Sequence, residues 1–225
     1  MIAQGRLRLL IVGYGRMGRL VDQLVGEQGV DVVGRIDQGR EEWNAADVAI
    51  DFSTADALVS NFGQYVQRRL QVVVGTTGWA AHEPQLRAEA QRAGLGVVAA
   101  PNFSIGVNIF QMVAAEAASR MAGHDQYGAW IHEAHHAAKR DAPSGTALML
   151  RDAMTAAGYT RPIDMSSTRA GTIPGTHTIG FDGASDTIEL THTARDRRGF
   201  ANGALLAARW IHGRQGWYSM MDVLS

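Results

Sequence analysis

Along the first hundred residues, short apolar runs alternate with longer stretches whose apolar positions recur at helical spacing. Leu7-Arg8-Leu9-Leu10-Ile11-Val12 predicts a buried strand, and a helical stretch follows from Arg19 to about Glu27. Residues 30–36 predict a second strand, ending at Asp37. Further strands are expected over 47–52, 70–74 and 95–100, with helices after Ser53-Thr54 to about Arg69 and from about His82 to Ala93. Strand and helix alternate throughout, which argues an α/β fold built on a parallel doubly wound sheet. The strand ends carry small polar residues, Ser53, Gly75-Thr76-Thr77 and Asn102 among them, and ligands of such sheets sit at those ends. Asp51 and the Thr76-Thr77 pair read equally well as turn formers and caps.

Past Ala100 the pattern changes. Phe103 to about Met121 predicts a long helix rich in Ala. Tyr127 to Glu133 sets small or polar residues against Trp130 and Ile131, a short strand. Thr146 to about Ala157 is helical. Between Thr168 and His192, Gly and Pro punctuate short β segments over 171–175, 176–180 and 187–192, suggesting an open α+β domain. Ala194 to Gly199 reads as a linker, about Phe200 to Ile211 as a helix, and Met221-Asp222-Val223-Leu224 closes the tail.

Two motifs carry chemistry. Gly13-Tyr14-Gly15-Arg16-Met17-Gly18 lies between a predicted strand and a predicted helix, the context in which a G-x-G-x-x-G spacing binds a dinucleotide. Gly13 permits the tight turn, Gly15 lets a pyrophosphate approach the backbone, and Gly18 lets the helix pack on the strand. Asp37, at the second strand end, is placed to bond ribose hydroxyls and leans toward NADH; Arg16, Arg35 and Arg40 leave a 2′-phosphate open. The second motif runs from His132 through His135, His136, Lys139, Asp141 and Pro143 to Ser144-Gly145-Thr146. Ser144 suits the N-cap of the helix that follows. The amides of Ser144, Gly145 and Thr146 are then expected unpaired at the positive end of a helix dipole, a site for a carboxylate or phosphate. Both histidines and Lys139 are expected on the loop leading there. A small acidic substrate held at the helix end and protonated by a His or Lys is the resulting expectation. His177 and His192 fall in the β segments, apart from this motif. Two histidines without a carboxylate or thiol partner do not make a metal site.

Composition removes alternatives. The 225 residues carry a formal net charge of −1, so electrostatics gives no case for nucleic acid or an anionic membrane. There is no cysteine, hence no disulfide framework and no thiolate chemistry. The start of the chain shows no signal-peptide pattern, and no apolar run approaches the roughly 20 residues of a membrane span. A soluble cytoplasmic protein is expected.

The glycine loop, Ile50-Asp51-Phe52-Ser53, Gly75-Thr76-Thr77-Gly78, Ala100-Pro101-Asn102-Phe103-Ser104, Glu133-Ala134-His135-His136, Lys139, Asp141 through Ala147, Arg169-Ala170-Gly171 and Phe200-Ala201-Asn202-Gly203-Ala204 occur in one order along the chain. In these residues the sequence closely resembles the 4-hydroxy-tetrahydrodipicolinate reductase (dihydrodipicolinate reductase) family of the diaminopimelate and lysine pathway. The resemblance implies a Rossmann-type dinucleotide domain, residues 1–103, completed by a C-terminal helix in 198–225. It implies that an α+β substrate and oligomerisation domain, 104–197, is inserted between them, with hinge closure and a homotetramer. It implies reduction of a cyclic dicarboxylic imine-type substrate by NADH or NADPH. His135 would be the general acid and Lys139 its charged partner; His136, Ser144, Gly145 and Thr146 would hold a carboxylate. Gly13, Arg16, Met17, Asp37, Gly75, Thr77, Ala100, Asn102, Phe103 and Arg197 would line the cofactor cleft, beside Gly15, Gly18, Ser53 and Thr76. The chain departs from many relatives in carrying Ala138 where they carry His, and in being short. Another NAD(P)-dependent amino- or imino-acid dehydrogenase, or a dinucleotide sensor without chemistry, are the other readings; intact His135 and Lys139 speak against the last.

Overall fold

The computed structural model describes residues 6–38 and 42–225, apart from the side chain of Glu27. The sequence expectation for Arg40 lies outside the described residues. The chain forms two compact units, one from Met1–Ile105 with Arg198–Ser225 and one from Gly106–Arg197.

The first unit is built on strands β1 (Leu7–Val12), β2 (Val30–Ile36), β3 (Val48–Asp51), β4 (Gln71–Val74), β5 (Gly96–Ala99) and β10 (Gly216–Tyr218). They form one sheet in the order β10-β5-β4-β3-β1-β2, every pairing parallel. The central strands lack polar alternation because both faces are covered. On one face Leu9, Ile11, Ile50, Val73 and Val98 pack against α1 (Arg16–Leu24), α6 (Arg198–Ile211) and α7 (Met220–Leu224). On the other, Leu10, Val12, Ala49, Val72 and Val97 meet α2 (Ala55–Arg68) and α3 (Glu83–Ala93). Adjacent residues of β1 thus serve opposite cores. Alanine and glycine on α6 let it approach closely: a Cβ on Gly203 would lie 1.7 Å from the Phe103 carbonyl oxygen.

The second unit pairs a sheet of order β7-β6-β8-β9 with α4 (Ile105–Met121) and α5 (Gly145–Ala156). Its strands are β6 (Gly128–His135), β7 (Ile163–Arg169), β8 (Thr176–Asp182) and β9 (Thr187–Thr193). β6 runs parallel to β7 and antiparallel to β8. Its core holds Phe110 and Ala114 of α4, Ile131 of β6, Leu150 and Met154 of α5, and Ile179 and Phe181 of β8.

Several boundaries differ from expectation. α1 begins at Arg16 rather than Arg19, because Gly15, in extended conformation, is its N-cap; Gly18 therefore lies in the first turn. β6 extends two residues further, so His135 ends a strand instead of standing on the loop. β7 had no counterpart in the sequence reading: Ile163-Asp164-Met165-Ser166-Ser167-Thr168-Arg169 offers only two apolar residues, and sheet pairing supplies the rest. The expected β segment over 171–175 is instead a turn, where the Ala137 amide donates to the Gly171 carbonyl. β10 and α7 form the tail, with Ser219 and Asp222 making a reciprocal capping box.

Candidate active site

The β1–α1 turn of the first unit admits no side chain at Gly13 or Gly18. Gly13 has φ +84°, and a Cβ there would lie 2.5 Å from the backbone of Phe52 and Ser53. A Cβ on Gly18 would meet the Gly13 carbonyl oxygen at 2.3 Å. Around the Cβ position of Gly15, by contrast, nothing lies within 4 Å. The α1 N-terminus is open where a pyrophosphate would sit. A cavity of about 510 Å³ borders this turn, lined by Gly13, Gly15, Asp37 and Ser53, with Trp43 and Gln64. A smaller one of about 270 Å³ borders Thr76, Thr77, Trp79, Glu83, Ala100 and Pro101.

Asp51 organises the loops around them. It is fully buried at the end of β3 and is more than a turn former. One carboxylate oxygen accepts from the Ser53 amide (2.8 Å), the Ser53 hydroxyl (2.6 Å) and the Thr76 hydroxyl (2.8 Å); the other accepts from the Tyr65 hydroxyl at 2.7 Å. Two adjacent strand ends are thereby tied together.

Other expected cofactor residues have structural duties. Gly75 leaves room for the Phe52 ring, 2.2 Å from where its Cβ would be. Phe103 is 2% exposed and meets Phe52 edge to face, and Met17 packs on the same core; both belong to the interior as much as to any cleft. Asn102 accepts from the Ser104 amide at 2.8 Å, ahead of α4. Arg16 and Arg197 are exposed. Arg35 is committed to Asp22 through two hydrogen bonds of 2.7 Å.

In the second unit, sheet register assembles an ionic cluster. Glu133 pairs with Ser167 on β7 and His177 on β8, and His135 pairs with Arg169. Cross-strand partners share a face. This is the face that buries Ala129 and Ile131, so Glu133 enters the interior and is fully buried. One of its oxygens accepts from the Ser167 hydroxyl (2.6 Å), Arg169 Nη2 (2.6 Å) and the Ser144 amide (3.2 Å). The other faces Arg169 Nη1 at 2.9 Å and His135 Nδ1 at 2.5 Å. Burial alone would raise its pKa, but hydrogen bonds from Arg169, Ser167 and His135 prevail and hold it at about 2.

His135 stands edge to face with His177, ring centroids 5.1 Å apart. Burial depresses its pKa, the Glu133 carboxylate opposes that, and the positive charges of Lys139 and Arg169 add to the depression. His177 is 4% exposed, and its Nε2 lies 2.9 Å from Ser144 Oγ. Burial, with His135 next in weight, lowers it to about 4, so it is neutral near pH 7.

Ser144 caps α5, accepting from the Ala147 amide at 3.2 Å. Its own amide is not free, as expected from sequence, but donates to Glu133. Lys139 Nζ meets both oxygens of Asp141, at 2.8 and 3.0 Å. That contact, and a hydrogen bond from the Gly145 backbone, hold the Asp141 carboxyl below its ordinary range. Gly145 and His136 are exposed, and Thr146 is half-buried in the first helical turn.

Family profiles and relatives agree on one assignment. A profile described as the C-terminus of dihydrodipicolinate reductase matches residues 106–224, and one described as its N-terminus matches residues 40–103. The chain belongs to the dihydrodipicolinate reductase family. A 4-hydroxy-tetrahydrodipicolinate reductase of Christiangramia forsetii is 33% identical over 234 residues, covering 97% of this chain and 98% of the relative. One from Rhodopseudomonas palustris is 35% identical over 267 residues, 97% of each chain. In fold, the chain is similar to a dipicolinate-bound dihydrodipicolinate reductase of Paenisporosarcina sp. TG-14, with a TM-score of 0.82, 21% identity, and 95% and 97% of the two chains covered. As a member of this family the chain is an NAD(P)H-dependent oxidoreductase. Among the described residues, no helix is long and apolar enough to cross a membrane.

Within this reductase-family chain, sequence reasoning gave Glu133 and Arg169 no role beyond the resemblance and set His177 apart from the motif. Glu133 shares its strand face with Ile131, and His177 shares one with Ile179 and Phe181; that parity marks both as inward. Ligand atoms of Glu133, His135 and His177 lie within 4.8 Å of one another, a spacing that would suit a metal ion. Both Glu133 oxygens are already taken by Arg169, whose guanidinium would repel a cation.

Proposed function

We propose that this chain reduces 4-hydroxy-tetrahydrodipicolinate to tetrahydrodipicolinate with His135 as the proton donor. The observation that carries the assignment is a histidine held on a buried carboxylate, with Lys139 near it. Bound at the β1–α1 turn, NADH or NADPH supplies the hydride.

The substrate is a dicarboxylate, and its charge needs compensation. Lys139 offers a point charge, and Gly145 and Thr146 lie in the first turn of α5, where the helix dipole favours an anion. The carboxylate of Asp141 pairs with Lys139. Substrate has to share or displace it. As negative charge develops during reduction, His135 delivers the proton; a positioned acid of this kind contributes about 10²–10⁴-fold. His136, exposed at the loop start, adds a donor to the same carboxylate in this reading.

The homotetramer of the family resemblance finds support in the second unit. Ile109, Met112 and Val113 form an exposed stripe on α4, and Ile188 of β9 is also exposed. Light scattering tests that assembly. A cytoplasmic location agrees with the family's biosynthetic chemistry.

The test of function is a coupled assay that generates the substrate from pyruvate and aspartate semialdehyde and follows loss of NADH or NADPH absorbance. Turnover with either is expected; absence of turnover with both refutes the proposal.

A further inference from the structure

We infer that Glu133, locked by Arg169, is a positioning residue that fixes the His135 tautomer and so makes Nε2 the nitrogen that gives up the proton. The inference deepens the proposed reduction and rests on His135 being its acid.

The geometry comes first. An ionised carboxylate can only accept, so where Glu133 Oε2 faces His135 Nδ1 at 2.5 Å, Nδ1 must carry hydrogen. Glu133 cannot itself be the donor, because Arg169 forks onto both its oxygens at 2.6 and 2.9 Å and Ser167 donates to one of them at 2.6 Å. Arg169 is committed further, donating to the Thr168 carbonyl at 2.8 Å and to the Asp141 carbonyl at 2.6 Å. The fork therefore stays put between β6, β7 and the Lys139 loop.

The other side of the ring meets a glycine rather than a side chain. His135 Nε2 points toward Gly175, where an added Cβ would sit 3.0 Å away. A glycine there leaves Nε2 without a side chain over it. Nδ1 on a carboxylate with Nε2 left to the glycine side suits a histidine that moves one proton repeatedly.

The charges around the ring explain why the carboxylate is needed. Facing His135 are Glu133 on its own strand, Arg169 on β7, His177 on β8, and Lys139 with Asp141 on the following loop; His192 of β9 lies beyond His177. Burial, Lys139 and Arg169 all disfavour the imidazolium, and Glu133 favours it. His177 is held neutral beside Ser144 and adds no charge of its own near pH 7. Lys139 is needed for the substrate's carboxylate, yet it works against the acid. Glu133 is the group that reconciles the two demands. After the proton leaves, it also selects the neutral tautomer that can be recharged at Nε2.

The test uses the full chain labelled with ¹⁵N histidine and needs no variant for its first arm. Long-range ¹H–¹⁵N spectra report which nitrogen bears hydrogen. The inference expects neutral His135 in the wild type to be protonated at Nδ1, with Nε2 titrating. A neutral form protonated at Nε2 overturns it, whatever the assay shows. In the second arm, Glu133→Gln keeps shape but removes the charge. The expected result is a basic limb of the kcat–pH profile displaced to lower pH. At pH 8, kcat should fall at least about tenfold, inside the range a positioned acid contributes. The Kd for pyridine-2,6-dicarboxylate should change less than about threefold, and kcat should recover in part as pH is lowered. An unshifted profile, or a loss in kcat with no recovery at low pH, refutes the positioning role. Wild-type turnover in the same assay keeps that failure separate from failure of the proposed reaction.

Discussion

His135 and Thr146 differ in what they can do for the reaction. His135→Ala removes a transition-state proton donor, so kcat is expected to fall by about 10²–10⁴-fold while the Kd of pyridine-2,6-dicarboxylate stays nearly unchanged. Thr146→Val keeps the shape of the first turn of α5 and deletes a hydroxyl near the carboxylate, so KM should rise more than kcat falls. Lys139→Ala should do both. Near-normal kcat in His135→Ala would move the acid elsewhere, Lys139 first. Cofactor preference is also decided by single residues. Asp37 lies at the end of β2 on the larger cavity, and Arg35 is tied up by Asp22. NADH should therefore be used at least as well as NADPH, and a preference for NADPH above about tenfold in kcat/KM would contradict this. At this scale the expectation of an anion site came from the chain itself, because Lys139, Ser144 and Thr146 sit close in sequence. Glu133 and Arg169 were not legible as a pair, since 36 residues separate them and their pairing depends on a strand register that no local pattern encodes.

Elements that position the site are specified to different degrees. β1 and β3 to β5 are largely buried on both faces and read directly as apolar runs. β7 is half-exposed, with its polarity set by service to Glu133 through Ser167 and Arg169, so its function obscures its identity as a strand. The boundary of β6 was missed for a related reason: polar residues at its end look like loop until their partners are known. α6 shows the opposite case, where small residues decide the packing. Gly203→Ala places a methyl against the Phe103 carbonyl, which cannot move without displacing the start of α4. The expected cost is about 1–3 kcal/mol or more, read as a lower midpoint in urea unfolding. Phe103 also packs on Phe52, which fills the space beside Gly75, so NADH affinity should weaken in parallel. An unchanged midpoint would mean that α6 is not seated as described.

The whole molecule should register the buried cluster as a dependence of stability on pH, and the sign follows from which state binds the proton. His177 is neutral when folded down to about pH 4 but ordinary, near 6.5, when unfolded. Between these values the unfolded chain binds the extra proton, so stability falls as pH drops. His135 and His192, both depressed chiefly by burial, act in the same direction. Glu133 works over a lower window: folded, it is held at about 2 against an ordinary 4.5, so its contribution is present above pH 4.5 and is lost as pH falls toward 2. The two windows adjoin, which predicts a continuous decline in Tm from about pH 6.5 downward. For His177 alone the loss is about 2 kcal/mol between pH 7.5 and 5. His177→Gln should flatten the upper part of the decline and leave the lower part, because Gln does not titrate while Glu133 keeps Arg169 and Ser167. Differential scanning calorimetry at half-unit pH steps separates them. A wild-type Tm that is level between pH 6.5 and 4.5, or a His177→Gln profile parallel to the wild type, would show that the histidine is not held neutral in the fold.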